Sequence, residues 1–212
     1  MDWSIIELLA YFGHVFVGGF VYLAGAFALS IKKGGFWHTQ LGKFYVFAMV
    51  VPILTTFVFL METFLPLGLV LALASSYFTA SGFLAFKASQ SYAKTWHLIL
   101  MFVLLLLLLA TTARTIQAFS LEPNLIHAPL LMALVFGFCF IQDIQALRKW
   151  PDNRKFWVAR HLQRMVLSFG FLTMAIVRIG IKMDIGLSLE ITVTFPLLLA
   201  IALAFYFHKK YA

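Results

Sequence analysis

Charged residues are scarce in this sequence, which argues against a soluble globular protein. Only 11% of its 212 residues are charged, and 63% are hydrophobic. A soluble domain of this size carries charges on about 25% of its residues. So few charges cannot cover a globular surface in water, and the composition therefore indicates an integral membrane protein.

Cysteine is nearly absent, and the N-terminus has no basic leader. Cys139 is the single cysteine, which excludes an intramolecular disulfide and a cysteine-based metal knuckle. Asp2 and Glu7 stand where a secretory signal has basic residues, and no small-residue cleavage pattern follows. We therefore expect the first helix to remain in the mature protein.

Long stretches without charge predict seven transmembrane helices. Uncharged stretches cover 8–31, 44–61, 63–86, 95–113, 123–142, 191–208 and, more briefly, 165–177. Most approach the roughly 20 residues that a helix needs to cross the hydrocarbon core. We predict an all-α bundle, a single transmembrane domain over 1–212. The predicted spans are 5–30, 38–61, 65–87, 95–119, 126–147, 157–181 and 188–208.

The charges that remain predict how the bundle is oriented. Basic residues concentrate in the first, third and fifth connections and at the C-terminus, and most acidic residues occupy the other connections. Lys and Arg beside spans favour the cytoplasm, so we expect the N-terminus outside and the C-terminus inside a bacterial inner membrane. The net charge of +8 then indicates contact with anionic lipid headgroups and no nucleic-acid partner.

Titratable residues inside the spans are the candidates for function, because they are costly in a bilayer. Helical spacing places each of them on a face with small or soft residues. The four faces are His14, Gly18 and Gly25; His38, Gly42, Tyr45 and Met49; Met132, Phe136, Cys139 and Asp143; and His161, Met165 and Ser168. Glycines let a helix or a flat ligand come close, so plain helix packing and a cofactor site both remain open.

Depth divides the histidines into two groups. His38, His97 and His161 begin helices at the cytoplasmic side, and Asp143 ends a helix there. His14 precedes His38 by 24 residues, which separates the two by roughly 25 Å in depth if the first helix is regular. The inner group and His14 can therefore serve two separate sites but not one metal ion.

The inner group suits a divalent metal. His38, Asp143 and His161 are a ligand set for zinc or a similar ion, although no compact metal motif accompanies them. Such a site would activate water in a metal-dependent membrane hydrolase.

The histidines also suit b-type haem, held through its two axial positions. An inner pair would be His38 with His161 or His97, and an outer pair would be His14 with His127. The candidate cofactor-binding residues are therefore His14, His38, His161, His97, Met165 and Tyr45. Arg164, Arg178 and Lys43 would meet the propionates, unless Arg160 and Arg164 snorkel to the interface. His97 and His127 also fit a simpler interpretation as interfacial side chains.

Four pieces of the chain resemble a widespread family of small bacterial multi-pass membrane proteins of unknown function. The pieces are "HVFVGGFVYLAGAFALSIKKGGFWHTQLGKFYVFAM", "SSYFTASGFLAF", "DIQALRKW" and "WVARHLQRMVLSF". The resemblance covers most of 11–180 and implies a helical membrane bundle. It marks His14, His38, Asp143 and His161 as family-like polar positions and implies no established activity.

Three functions follow from these observations. The first is a membrane redox protein that binds b-type haem, and the second is the metal-dependent membrane hydrolase. The third is a non-catalytic accessory or scaffold subunit of a larger membrane complex, which suits a chain with no extramembrane domain. Whether the chain is an enzyme stays open at this point.

Overall fold

The described part of the chain is helical throughout. The computed structural model describes residues 5–87, 89–148, 150, 154–182 and 188–211, without the side chains of 91, 178–182, 189 and 211. Asp2 lies outside the described residues, and the side chain of Arg178 is not among those described. Seven long helices occur in these ranges: α1 Ile5–Ser30, α2 Phe36–Glu62, α3 Pro66–Leu84, α4 Ser91–Leu121, α5 His127–Arg148, α6 Arg154–Lys182 and α7 Leu189–Tyr211.

Two of these helices are irregular. A π-helical turn at Gly13–Val17 interrupts α1, and α2 is broken at Met49 between the regular segments Phe36–Ala48 and Val50–Glu62. Pro52 explains the break, because it has no N–H to donate to the carbonyl of Ala48, four residues earlier. The first two helices are therefore less regular than the charge-free stretches predict.

Six of the seven helices are long and apolar enough to cross a membrane, and α6 differs from them. The six are α1, α2, α3 with its following turn, α4, α5 and α7. Helix α6 has 29 residues and carries several basic residues, yet it packs most extensively against α7 and α3 and lies in the centre of the bundle. The prediction of an all-helical bundle with helices long and apolar enough to cross a membrane is confirmed over the described residues, whereas the number of crossings and the orientation stay predictions.

Aromatic side chains form the middle of the core. The rings of Phe78, Phe136 and Phe171 stack with centroid separations of 5.2 to 6.1 Å and join α3, α5 and α6. All three side chains are fully buried. Lipid tails are as apolar as these rings, so dense packing and dispersion, rather than escape from water, hold the helices together.

Three glycines allow close helix contacts around α6. A Cβ at Gly82 would lie 2.8 Å from the sulfur of Met165, and one at Gly170 would lie 2.5 Å from the Cβ of Ala200. A Cβ at Gly25 would lie 2.7 Å from the ring of Phe169. These distances are shorter than van der Waals contact, so α1, α3 and α7 approach α6 only because these positions have no side chain.

Basic helix ends gather at one end of the bundle. Lys33, in the first connection, lies with its Nζ 4.7 Å from the centroid of the Phe207 ring near the C-terminus. The same ammonium donates to the carbonyls of Ala28 and Leu29 and caps α1. Partial burial, together with the charge of Lys210, lowers the pKa of Lys33. The first connection and the chain's C-terminal end therefore meet on one side, as the alternation of seven spans predicts.

Candidate functional site

Asp143 is the centre of a buried ionic network between α5 and α6. Its Oδ1 accepts hydrogen bonds from Nη2 of Arg160 and from Nη2 of Arg164, each at 2.7 Å. Its Oδ2 accepts the hydroxyl hydrogen bond of Tyr77, also at 2.7 Å. The four side chains are at most 3% exposed. Such burial is tolerated only because every charge has a partner of opposite sign close by.

Residue spacing within α6 and the short connection between α5 and α6 bring the charged residues of this network together. Arg160 and Arg164 are four residues apart and share one face of α6. Asp143 lies near the C-terminal end of α5, and the connection to α6 is short enough to bring the ends of the two helices together. Tyr77 reaches the carboxylate from α3. The network thus joins the three helices of the aromatic core.

Arg164 makes fewer hydrogen bonds than its guanidinium allows. Besides Asp143 it donates to the carbonyl of Cys139 at 3.1 Å, whereas its Nε and Nη1 have no hydrogen-bond partner in the described structure. Its Cζ lies 5.6 and 5.9 Å from the ring centroids of Tyr77 and Phe78, within cation–π range. Arg160 and Arg164 are therefore paired inside the bundle, and the expectation that they snorkel to the interface was wrong.

His97 belongs to the same network. It is buried, its Nε2 donates to the carbonyl of Asp143 at 3.4 Å, and its Nδ1 accepts from Arg160 at 3.5 Å. Both ring nitrogens are thus engaged. The interpretation of His97 as an interfacial side chain was wrong, and the structure gives it partners other than the predicted cofactor.

The predicted divalent-metal set is not assembled. Over the described ranges, no group of three or more His, Cys, Asp or Glu side chains is placed to hold a metal ion. Asp143 faces two guanidiniums and Tyr77 instead of His38 and His161. Because Asp143 is paired in this way, the predicted water-activating metal centre lacks its carboxylate ligand.

His38 and His161 share a local arrangement at the basic end of the bundle. Nδ1 of His38 donates to the carbonyl of Ala28 at 3.0 Å, and Nδ1 of His161 donates to the carbonyl of Gly82 at 2.9 Å. Both side chains are half-buried. In the residues that can be described, neither Nε2 has a hydrogen-bond partner.

His161 is held in place by its neighbours. The Phe86 ring lies with its centroid 4.2 Å from that of the His161 imidazole. One turn further along α6, Met165 packs against Gly82, whose carbonyl accepts the His161 hydrogen bond. A side chain at position 82 would push Met165 away, so the absence of a side chain at Gly82 supports the position of the histidine.

Tyr45 lies in a different polar group. Its hydroxyl bonds to Oγ of Ser168 at 2.8 Å, and Ser168 bonds to Thr79 at 2.6 Å. All three residues are buried, and they connect α2, α6 and α3. The Tyr45 hydroxyl is therefore occupied by a structural hydrogen bond between helices.

The outer histidines lie on separate helix pairs. His14 lies in the π-helical turn of α1, and its Nδ1 is hydrogen-bonded to the hydroxyl of Thr55 at 2.9 Å. His127 lies on α5, is exposed, and contacts Glu190 at 3.2 Å. His14 contacts α2, and His127 contacts α7, so the structure does not pair them as the two ligands of an outer haem.

The sequence pointed to the histidines and to Asp143 but missed Tyr77 and the pairing of both arginines. The available signal was the four-residue spacing of Arg160 and Arg164 together with a carboxylate 17 residues before the first arginine.

Comparison with family models, with curated proteins and with solved structures finds no match to the chain.

Proposed function

We propose that this chain is a multi-pass protein of the bacterial inner membrane that binds b-type haem through His38 and His161. The observation that carries the proposal is the shared arrangement of the two imidazoles, each with Nδ1 bonded to a backbone carbonyl. A carbonyl at Nδ1 fixes the tautomer with its proton on that nitrogen and leaves the Nε2 lone pair as a ligand. Histidines that bind metals usually have such a partner on the other ring nitrogen.

The number of ligands favours haem over a protein-bound zinc ion. Haem iron needs two axial ligands from the protein, because the macrocycle supplies the other four. A structural or catalytic zinc site needs three or four protein ligands. The described residues assemble no set of three for such an ion, whereas His38 and His161 supply two imidazoles on different helices.

The protein's own residues would orient and shield the cofactor. The carbonyls of Ala28 and Gly82 hold the two imidazoles, and Phe86 covers one face of His161. Haem bound at this place would supply one-electron transfer chemistry. Among the cations predicted to meet propionates, Arg164 is taken up by Asp143, and Lys43 is exposed on α2. The side chain of Arg178 is not among those described.

An absorption spectrum tests the proposal. The chain is expressed with ample haem, purified in mild detergent, and measured before and after reduction. We expect a Soret band and a reduced α-band in the wild type, and loss of both bands in His38→Ala and in His161→Ala. His127→Ala is the matched control, because His127 is an exposed histidine on a different helix pair, and it should keep the full spectrum.

Two results would overturn the proposal. One is wild-type protein that folds, as judged by a sharp gel-filtration peak, yet takes up no haem when haem is supplied. The other is a haem spectrum that persists in the double variant His38→Ala/His161→Ala. Elemental analysis of the same samples tests for a bound metal ion. Stoichiometric zinc in the wild type that is lost in His161→Ala would restore the metal-centre hypothesis.

A further inference from the structure

A crevice between α5, α6 and α7 contains two adjoining cavities, one nearly apolar and one with basic side chains. The first has a volume of about 220 Å³ and an almost wholly apolar lining. The second has a volume of about 260 Å³ and a more polar lining, which includes Lys155, Arg160 and His208 beside Phe156 and Ala159; it is called the polar cavity below. Gln142 and Gln163 line both cavities and mark where they meet. Apolar lining residues include Leu131, Leu134, Phe138, Leu167, Ile201 and Phe205.

The polar cavity has the charge of an anion site. Lys155, Arg160 and His208 line it, and its described lining residues include no carboxylate. Arg160 shares the single carboxylate of Asp143 with Arg164, so the buried network carries two guanidiniums for one carboxylate. A buried surplus charge is costly unless it is compensated. An anion in the polar cavity would lie beside Arg160 and offset that charge.

The apolar cavity has the length of one leaflet. Its lining on α5 runs from Leu131 to Gln142, eleven residue steps or roughly 16 Å at 1.5 Å per residue. The hydrocarbon core of a bilayer is about 30 Å thick, so the cavity extends about halfway across it. The polar cavity lies at the basic end of the bundle, beside the C-terminal part of α7.

We propose that this crevice binds one anionic phospholipid, with its phosphate in the polar cavity and an acyl chain in the apolar cavity. The phosphate contacts Lys155, Arg160 and His208. A hydroxyl in the headgroup donates to Oε1 of Gln142, which is buried and has no hydrogen-bond partner within the described structure. Phosphatidylglycerol has both features and is the probe of choice. The site is independent of the histidine pair.

Native mass spectrometry of delipidated protein tests the site with phosphatidylglycerol, phosphatidylcholine and inorganic phosphate. We expect the wild type to bind phosphatidylglycerol several-fold more tightly than phosphatidylcholine. Lys155→Gln should weaken phosphatidylglycerol binding about fivefold, the effect of one cation near a lipid phosphate. Lys209→Gln is the matched control, because Lys209 is exposed next to the lining residue His208 but does not itself line the cavity.

A second variant probes the acyl-chain part. Ala204 lines the apolar cavity, and Ala204→Phe should fill it and weaken both lipids while the preference for phosphatidylglycerol persists. Inorganic phosphate at millimolar concentration should not displace the lipid, because it lacks the chain. Equal affinity for both lipids in the wild type would overturn the proposal, as would an equal effect of Lys155→Gln and Lys209→Gln. Displacement by phosphate alone would also overturn it and would indicate a free-anion site.

Discussion

At the scale of single residues, Asp143 carries the largest energetic consequence. Its carboxylate accepts hydrogen bonds from Arg160, Arg164 and Tyr77 in a fully buried setting. Asp143→Asn would leave two buried guanidiniums without a counter-charge. We expect a loss of about 3–5 kcal/mol in the free energy of unfolding, measured by detergent-driven unfolding followed by circular dichroism.

An exposed ion pair provides the control for this substitution. Arg114 and Glu122 form a salt bridge with side chains 41% and 45% exposed, and Glu122→Gln should cost less than about 1 kcal/mol. Arg160→Met removes one of two cations and leaves Arg164 paired with Asp143, so it should destabilise less than Asp143→Asn. If Arg160→Met destabilises as much as Asp143→Asn, the surplus of positive charge in the network is contradicted.

The sequence identified Asp143 as a functional candidate but gave it other partners. Because a charge within a bilayer is costly, a carboxylate in a span is a candidate for function, but this cost does not identify the side chain that neutralises it. Arginine near a helix end can either snorkel or pair, and only the packing of α6 against α3 and α5 decides for pairing at Arg160 and Arg164. The place of His97 in this network was missed for the same reason, because its contacts come from α5 and α6 together.

At the scale of helices, glycine positions set how closely α6 meets its neighbours. A Cβ at Gly170 would lie 2.5 Å from Cβ of Ala200 and 3.7 Å from the carbonyl oxygen of Pro196. Because Cβ of Ala200 cannot rotate away, Gly170→Ala must separate the backbones of α6 and α7. We expect a loss of about 1–3 kcal/mol in stability, measured by detergent-driven unfolding.

The double variant Gly170→Ala/Ala200→Gly should recover most of that loss, because it moves the methyl group from one helix to the other. Gly19 is the control position, since a Cβ there meets nothing within 4 Å. Gly19→Ala should be neutral or stabilise α1 by up to about 1 kcal/mol through helix propensity. Failure of the double variant to recover stability would show that another effect of the alanine dominates.

Helix positions were largely predictable from charge, and irregularities within the helices were not. The charge-free stretches led to predicted spans of 95–119 and 126–147, where the structure has Ser91–Leu121 and His127–Arg148. The break at Met49 had a visible signal in Pro52. The π-helical turn that contains His14 had none, because hydropathy does not distinguish π from α geometry.

At the scale of the whole molecule, the helix contacts bring a different set of side chains together at each end of the bundle. The contacts between helices bring one group of residues together at one end of the bundle: Lys33, Gly82, His97, Asp143 and His161. At the other end Glu122 pairs with Arg114, and Glu190 pairs with His127. The excess of Lys and Arg predicts that the first end faces the cytoplasm.

Cysteine labelling in intact cells tests both this orientation and the crossing by α6. Glu62 and Lys209 are exposed near opposite ends of the bundle, and five helices, α3 to α7, separate them along the chain. We expect a membrane-impermeant maleimide to label Glu62→Cys at once and Lys209→Cys only after permeabilisation. The native Cys139 is buried, so it should contribute little background.

The two ways in which this prediction can fail have different meanings. Labelling of Lys209→Cys alone in intact cells would invert the orientation and place the basic end outside, against the positive-inside rule. Labelling of both variants from the same side would mean that an even number of helices crosses between them. Helix α6, the one long helix that falls short in apolarity among those described, would then lie in the bundle without crossing.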